Sequence, residues 1–121
     1  FAVGGLNVNP KKSAINLVLM AKDMVKRLYA LNETIDKMDL QLRIGIHCGD
    51  VVTGVIGKHK FAYDLWGAAV NFASRMESTS EPGKIHISEN LHNLIKENFR
   101  FTKREDLNVK GVGNIDSYFV E

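Results

Sequence analysis

The sequence contains a single cysteine, Cys48, which excludes an internal disulfide framework and favours a reducing compartment. It also lacks any run near the roughly 18 apolar residues that a membrane span needs, and no segment is typical of a signal peptide. We therefore expect no membrane segment in this chain. The predicted location is the cytoplasm, or the cytoplasmic side of a membrane if the protein is anchored elsewhere.

An excess of charge of one sign is also missing. Sixteen Lys and Arg residues face fourteen Asp and Glu residues, which leaves a net charge of +2. Such a balance, without a basic face of regularly placed aromatics, argues against nucleic acid as a partner. The chain of 121 residues is 45% hydrophobic and 25% charged, which excludes a disordered polypeptide and fits one domain over residues 1–121.

The two ends of the chain lack the polar lead-in and tail of a complete domain. Phe1–Leu6 has no initiator Met and is typical of a buried strand, and Ser117–Glu121 is a β-prone run that stops abruptly. We therefore expect residues 1–121 to be part of a longer domain.

The first half of the chain predicts one long helix and one β-hairpin. After Pro10, apolar residues recur at alternating steps of four and three, with Lys22 on the solvated side of the helix. The members of this stripe are Leu17, Ala21, Met24, Leu28, Leu31 and Ile35. Residues 40–48 alternate between apolar and polar, and the Gly49-Asp50 turn signal leads into a second β-prone run. This pattern predicts a hairpin over residues 40–57.

The second half alternates short strands with short helices. A β-prone run at 61–66 precedes a helix from about residue 68 to 77, and a strand at 85–87 precedes a helix that Ser88 can cap. A glycine-rich turn and a last strand at 115–120 follow. Helices mixed with hairpin-connected strands indicate an α+β domain, with a mostly antiparallel sheet covered on one side.

The helix after Gly67 carries the most informative polar pair, Asn71 and Arg75. Its apolar residues crowd one face, and positions four apart nearly overlay on the other. A guanidinium binds phosphate oxygens through a planar fork of donors, and an amide adds a neutral donor and acceptor. The pair can therefore hold a polyphosphate, although an ordinary solvated helix face explains the same spacing.

Two other positions offer contacts to a nucleotide. Asp64 lies in an apolar run just before that helix, where a carboxylate can accept a hydrogen bond from an exocyclic amine, or can simply mark the helix entry. Lys110 precedes Gly111-Val112-Gly113, where glycine lets backbone approach a phosphate closely. A plain hairpin turn is the simpler interpretation of that segment.

Several familiar motifs are absent. The sequence has neither the spacing of a Walker A loop nor a dinucleotide GxGxxG. The histidines and Cys48 never fall at a spacing typical of zinc sites, so we predict no metal ligand in this chain. His47 alternates with the apolar side of its strand, which favours a packed or hydrogen-bonded structural residue over a catalytic base.

The order and spacing of these segments resemble the catalytic domain of class III nucleotidyl cyclases, of the adenylyl type. Leu42–Gly49 with Val51–Gly57 resembles the central hairpin of that family, and Tyr63–Ser78 resembles its most recognisable segment. Gly83–Ser88 and Val109–Gly111 continue the register. The resemblance implies a ferredoxin-like α+β fold of which this chain is the C-terminal portion, with the N-terminal strand and helices missing.

The resemblance also implies a role for each polar position. Asn71 would orient the ribose and Arg75 would bind phosphate in the transition state, while Lys110 would bind the terminal phosphates. Asp64 would recognise the adenine of ATP, and Leu65 would add a backbone contact to the base. One departure is Val112, where many relatives have a second lysine.

The implied reaction is attack of the ribose 3′ hydroxyl on the α-phosphorus of ATP, which gives cyclic AMP and pyrophosphate with the help of two Mg²⁺ or Mn²⁺ ions. The family's metal-binding aspartates and the lysine that partners Asp64 would lie upstream of Phe1, and the site would form between two cyclase domains, as a homodimer. We therefore expect the isolated chain to be inactive. The alternatives are a guanylyl cyclase, a non-catalytic nucleotide-binding or dimerisation module, and an RNA-binding ferredoxin-like module.

Overall fold

The computed structural model describes residues 4, 9–34, 40–49, 52–56, 62–66 and 68–121, with 52–56 and 62–66 described by their backbone. The helices are α1 (Pro10–Thr34), α2 (Ala68–Ser78) and α3 (Glu89–Ile95). The strands are β1 (Ile44–Ile46), β2 (Val52–Ile56), β3 (Ala62–Trp66), β4 (Ile85–Ser88), β5 (Phe101–Val109) and β6 (Gly113–Val120). Apart from Gly4, the strand predicted at Phe1–Leu6 lies outside the described residues.

Four of the strands form one sheet in the order β1-β4-β6-β5. β4 with β6 and β5 with β6 are antiparallel, while β1 lies parallel to β4. β2 and β3 form a separate antiparallel pair. The predicted α+β class with a mostly antiparallel sheet is confirmed.

The hairpin predicted over residues 40–57 is wrong. The two strands exist, but β1 pairs with β4, at Ile44 with Ile85 and Ile46 with Ile87, whereas β2 pairs with β3. Glycine and aspartate between two strands indicate a change of direction, but they do not determine which strand becomes the hydrogen-bonded neighbour. That choice depends on a partner strand 41 residues away in the sequence.

The sheet carries helices on both faces, not on one as predicted. Ile44 and Ile46 pack with α1 and α3, and the alternation of the strand turns Gly45 toward α2. β4 repeats the pattern, because Ile87 joins the aliphatic core while His86 bonds to α2.

The core lies between α1, α3 and the sheet. Its buried residues are Ala14, Val18, Ala21, Ile46, Ile85, Ile87, Leu91 and Ile95. α3 begins as predicted at Ser88, whose Oγ accepts the N–H of Leu91 at 3.4 Å. None of the helices in the described part of the chain is long and apolar enough to cross a membrane.

The apolar stripe predicted for α1 is only partly correct. Ala21 is buried, but Met24 is 44% exposed and Leu31 is 41% exposed. The covered side instead includes Val18, and Lys22 is half-buried with its ammonium 5.0 Å from the ring centroid of Phe99. Apolar residues occupy more than one face of this helix, and packing against α3 and β4 decides which of them is covered. Ile35 lies outside the described residues.

Candidate nucleotide-binding site

The candidate pair on α2 lies on the exposed side of the helix. Asn71 and Arg75 are both exposed and one helical turn apart, whereas Met76 is fully buried and Phe72 is half-buried. The predicted division of this helix into an apolar and a polar face is therefore confirmed. Among the described residues, neither side chain takes part in an ion pair, so the structure presents an amide and a guanidinium side by side to the surroundings.

Two glycines let the backbone of α2 approach the sheet closely. A Cβ atom at Gly45 would overlap the backbone nitrogen of Glu77, and one at Gly49 would lie 3.0 Å from the Cβ of Ala69. Only glycine permits this approach at Gly45. The helix is therefore held against β1 at a fixed short distance, and its exposed face points away from the core.

His47 supports the first half of α2. Its ring stacks on Phe72, with centroids 4.2 Å apart, and its Nδ1 lies 2.6 Å from the Oγ of Ser88. Because Ser88 Oγ accepts the N–H of Leu91, its hydroxyl proton is available to His47. Burial lowers the pKa of His47. This geometry agrees with the predicted structural role of His47.

His86 supports the second half of α2, and sequence reasoning missed it. The ring is fully buried, and its Nδ1 donates to the carbonyl oxygen of Met76 at 2.9 Å. Burial lowers the pKa of His86, the bond to the Met76 carbonyl opposes this effect, and the charge of Arg104 adds to it. The sequence signal that could have identified it is a histidine between Ile85 and Ile87 in a short apolar strand. A buried imidazole needs polar partners, so this position predicts hydrogen bonds to neighbouring elements.

The other candidate residues lie on two antiparallel strand pairs. Asp64 and Leu65 are in the middle of β3, opposite Gly54 and Thr53 of β2. Lys110 is exposed and begins the turn between β5 and β6. The turn is closed by a hydrogen bond from the Val112 N–H to the Val109 carbonyl, at 3.0 Å. Gly111 and Gly113 have φ of 82° and 102°, which explains the two glycines.

The topology brings some of these positions to one end of the sheet. The first turn of α2 lies beside Gly49, just beyond β1, while its last turn lies beside Gly45 and His86. Because β1 and β4 are parallel and β6 runs opposite to them, the turn that begins at Lys110 lies at the same end of the sheet as the start of α2. No hydrogen bond or ion pair joins Lys110 to Asn71 or Arg75 within the described ranges.

The described residues offer no ligand set for the two divalent cations that the resemblance implies. Across residues 4, 9–34, 40–49 and the later described ranges, no group of three or more His, Cys, Asp or Glu side chains is arranged to hold a metal ion. The acidic Asp106 and Asp116 lie on the β5–β6 hairpin, where the Asp116 carboxylate accepts the backbone N–H of Asp106 at 3.2 Å.

Comparison with known proteins gives the fold a family. The family described as adenylate and guanylate cyclase catalytic domain matches residues 1–121. The germination-specific adenylate cyclase of Dictyostelium discoideum is 48% identical over 85 residues, which are 69% of this chain and 10% of that protein.

Two solved structures superpose closely on this chain. One is the guanylate cyclase domain of RhGC from Catenaria anguillulae in complex with GTP, at a TM-score of 0.85 and 35% identity, covering 98% of this chain and 64% of that one. The other is the adenylyl cyclase CyaB from P. aeruginosa, at a TM-score of 0.85 and 32% identity, covering 93% and 61%.

The family match and the fold together define a nucleotidyl cyclase domain. The chain belongs to the adenylate and guanylate cyclase catalytic domain family. It spans 61–64% of these two solved domains and a tenth of the Dictyostelium protein. Relatives on both sides of the adenylate and guanylate division match it, so the family is common to the two purines.

Proposed function

We propose that the protein is an adenylate cyclase that converts ATP to cyclic AMP and pyrophosphate. In this reaction the ribose 3′ oxygen forms a bond to the α-phosphorus, loses its proton, and displaces pyrophosphate. The observation that carries the proposal is the exposed pair Asn71 and Arg75, on a helix whose opposite side is fixed to the sheet at Gly45 and Met76. Groups held in advance of the reaction stabilise developing charge at little reorganisation cost.

Each polar residue has a chemical role in this proposal. The Arg75 guanidinium binds phosphate oxygens through its fork of donors, and the Asn71 amide orients the ribose. Lys110, on a turn whose two glycines have positive φ, supplies a mobile point charge to the terminal phosphates.

Asp64 and Leu65 are proposed to read the base. A carboxylate accepts a hydrogen bond from the exocyclic amine of adenine, whereas guanine presents a carbonyl oxygen at the equivalent position. Two acceptors facing each other leave both unpaired, which disfavours GTP. The backbone of Leu65 adds a contact that is independent of its side chain.

A second copy of the domain is the proposed partner. Asn71 and Arg75 face away from their own core, so a nucleotide that contacts them leaves its other side open to another chain. We infer a homodimer in which each copy contributes this face of α2 to a shared site. A non-catalytic module that only binds nucleotide or dimerises is the alternative from another class.

Guanylate cyclase is the second candidate, because the RhGC domain that superposes on this chain was solved with GTP. Asp64 is the residue that argues against it. In the whole protein, we expect Asp64→Cys to relax the preference for ATP over GTP, measured as the ratio of the two kcat/KM values. Unchanged selectivity would contradict the role of Asp64, and a wild-type preference for GTP would replace the proposed substrate.

The catalytic roles are tested by assaying cyclic AMP formation by the whole protein with ATP and Mn²⁺. We expect Arg75→Ala and Asn71→Ala each to lower kcat by about 100-fold, a loss typical of removing one donor to a developing oxyanion. Arg100→Ala, an equal truncation at an exposed arginine, serves as the control and should stay within about twofold. A wild-type protein that binds ATP without forming product would favour the non-catalytic module.

A further inference from the structure

Side chains from three other segments of the chain donate hydrogen bonds to carbonyl groups at the end of α2. The final carbonyl groups of a helix lack partners within the helix. Here the Met76 carbonyl accepts from His86 Nδ1 at 2.9 Å, and the Thr79 carbonyl just beyond the helix accepts from Arg104 Nη1 at 2.6 Å. The Ser78 carbonyl accepts a longer bond, of 3.4 Å, from Arg43.

His86 is held from both sides of its ring. A carbonyl oxygen only accepts, so Nδ1 carries the proton, and in the neutral ring Nε2 accepts from the hydroxyl of Ser117, 2.6 Å away. His86 and Ser117 are both fully buried. The ring therefore links the end of α2 to β6 through two directional bonds, and it has no freedom to rotate without losing one of them.

Arg104 reaches the same helix end from β5. Its guanidinium lies over the ring of Phe119, 5.4 Å from the centroid, while Nη1 bonds to Thr79. A cation at the carboxyl end of a helix also interacts favourably with the helix dipole. We call His86 and Arg104 together the α2 latch.

The latch acts next to the residue proposed to bind phosphate. Met76 follows Arg75 directly, and the carbonyl of Arg75 itself accepts from the backbone N–H of Thr79 at 3.0 Å and from its hydroxyl at 2.6 Å. On its inner side α2 has a single fully buried side chain, Met76, and rests on glycine. The stack of His47 on Phe72 restrains the first half of α2, and the directional bonds of the latch restrain the half that carries Arg75.

We propose that His86 and Arg104 are positioning residues for the reaction: they fix the rotation and axial position of α2, and thereby the placement of Arg75 and Asn71 on the nucleotide. This inference rests on the proposed function. Neither residue touches the exposed face of the helix, so both act through the helix backbone.

The first experiment compares latch variants with matched controls in the whole protein. His86→Phe keeps a ring and removes both hydrogen bonds, and Arg104→Met removes the bond to Thr79. His92→Phe is the matched control, because His92 stacks on Tyr118 with centroids 3.6 Å apart but bonds to no α2 carbonyl. Arg100→Met is the control for Arg104, since Arg100 is exposed.

We expect both latch variants to lower kcat for cyclic AMP formation by about 10- to 100-fold, as a misplacement near 1 Å does, with KM changed less than about threefold. The controls should stay within about threefold in kcat. Arg104→Lys retains a donor and should recover most of the loss. Equal losses in the latch variants and their controls would overturn the proposal.

A second readout separates positioning from loss of fold. In an Arg75→Ala background, His86→Phe should lower kcat much less than it does in the wild type, because residues that act as a unit are not additive. If His86→Phe lowers kcat by the same factor in both backgrounds, His86 only supports folding. If His86→Phe fails to fold, the kcat values of Arg104→Met and Arg104→Lys test the positioning role instead, because Arg104 is only half-buried.

Hydrogen exchange tests the latch without any catalytic readout. Both latch variants should accelerate exchange of the amides in the last turn of α2 and at Thr79, while the two controls should not. Unchanged exchange would overturn the latch itself. An inactive wild-type protein would overturn the proposed function and the positioning role with it, and accelerated exchange in the variants would then leave the latch as a structural contact only.

Discussion

The two faces of the sheet differ in the kind of interaction that holds their helices. Toward α1 and α3 the sheet presents aliphatic side chains such as Ile46 and Ile87, and the contact is hydrophobic. Toward α2 it presents Gly45 and two histidines, so hydrogen bonds, a stacked ring and close backbone approach accompany the burial of Met76.

The two kinds of interaction have different effects on stability and on position. Burial of apolar area is non-directional and tolerates small shifts, so it stabilises the fold without fixing a helix to a fraction of an ångström. Hydrogen bonds weaken steeply as their geometry degrades. The helix that carries the proposed nucleotide contacts, α2, is therefore held by interactions that specify position, whereas α1 and α3 are held by hydrophobic burial.

The largest expected effect tests the backbone contact under α2. Gly45→Ala should lower the free energy of unfolding by about 4 kcal/mol, because the new Cβ overlaps the backbone of Glu77 and a whole helix must move. Urea unfolding of the protein measures it. Gly83→Ala is the control: Gly83 has φ of 78° with no atom near its added Cβ, so only about 1 kcal/mol of backbone strain is expected. An equal decrease in the free energy of unfolding for the two variants would contradict the close backbone approach at Gly45.

The next effect tests the aliphatic face. Ile87→Ala should cost about 3 kcal/mol, since Ile87 is fully buried among aliphatic residues and its truncation leaves a cavity. Leu19→Ala, at a residue that is 51% exposed, should change stability by less than about 0.5 kcal/mol. In cyclase assays, Ile87→Ala should leave kcat of the folded fraction nearly unchanged, unlike variants of the α2 latch. A large fall in kcat would break the proposed division between the two faces.

The smallest effect is the dependence of stability on pH, to which His47 and His86 under α2 and His92 of α3 contribute, because burial lowers the pKa of each. Burial lowers the pKa of His47 and His86 below the ordinary value of 6.5. In the unfolded chain both take up a proton below about pH 6.5, whereas the folded protein resists it, so stability is full above that value and declines as the pH falls. Denaturant midpoints between pH 5 and pH 8 measure this decline.

A variant isolates the contribution of His86 to the pH dependence. His86→Phe should reduce the slope of stability against pH below 6.5, while Ile87→Ala should lower stability equally at every pH and leave the slope unchanged. A slope that is the same in wild type and His86→Phe would exclude His86 as a source.

Local sequence was enough to predict α2 and its two faces. The apolar positions of residues 68–77 repeat with the period of a helix, and side chains four apart share a face whatever the rest of the chain does. The Ser88 cap of α3 was predictable for the same reason, because the capping oxygen and the amide of Leu91 are three residues apart.

Pairing between distant segments was not predictable from the same information. The interpretation of residues 40–57 as a hairpin failed because β1 takes its partner from β4. The α1 stripe was misplaced at Met24 and Leu31 because several apolar faces were available and only the position of α3 and β4 selects among them. The roles of Asp64, Leu65 and Lys110 stay predictions that the experiments above address.

By itself, the sequence determined the α+β class, the scarcity of cysteine and of net charge, and the placement of Asn71 and Arg75 one turn apart on a single helix face. These properties depend on composition and on periodicity within one element. Only the tertiary structure decided that the helix lies against Gly45, that His86 and Arg104 meet its last carbonyl groups, and that helices cover both faces of the sheet. The reason is physical: such contacts join residues far apart in the chain, and they form only when the whole sheet has assembled.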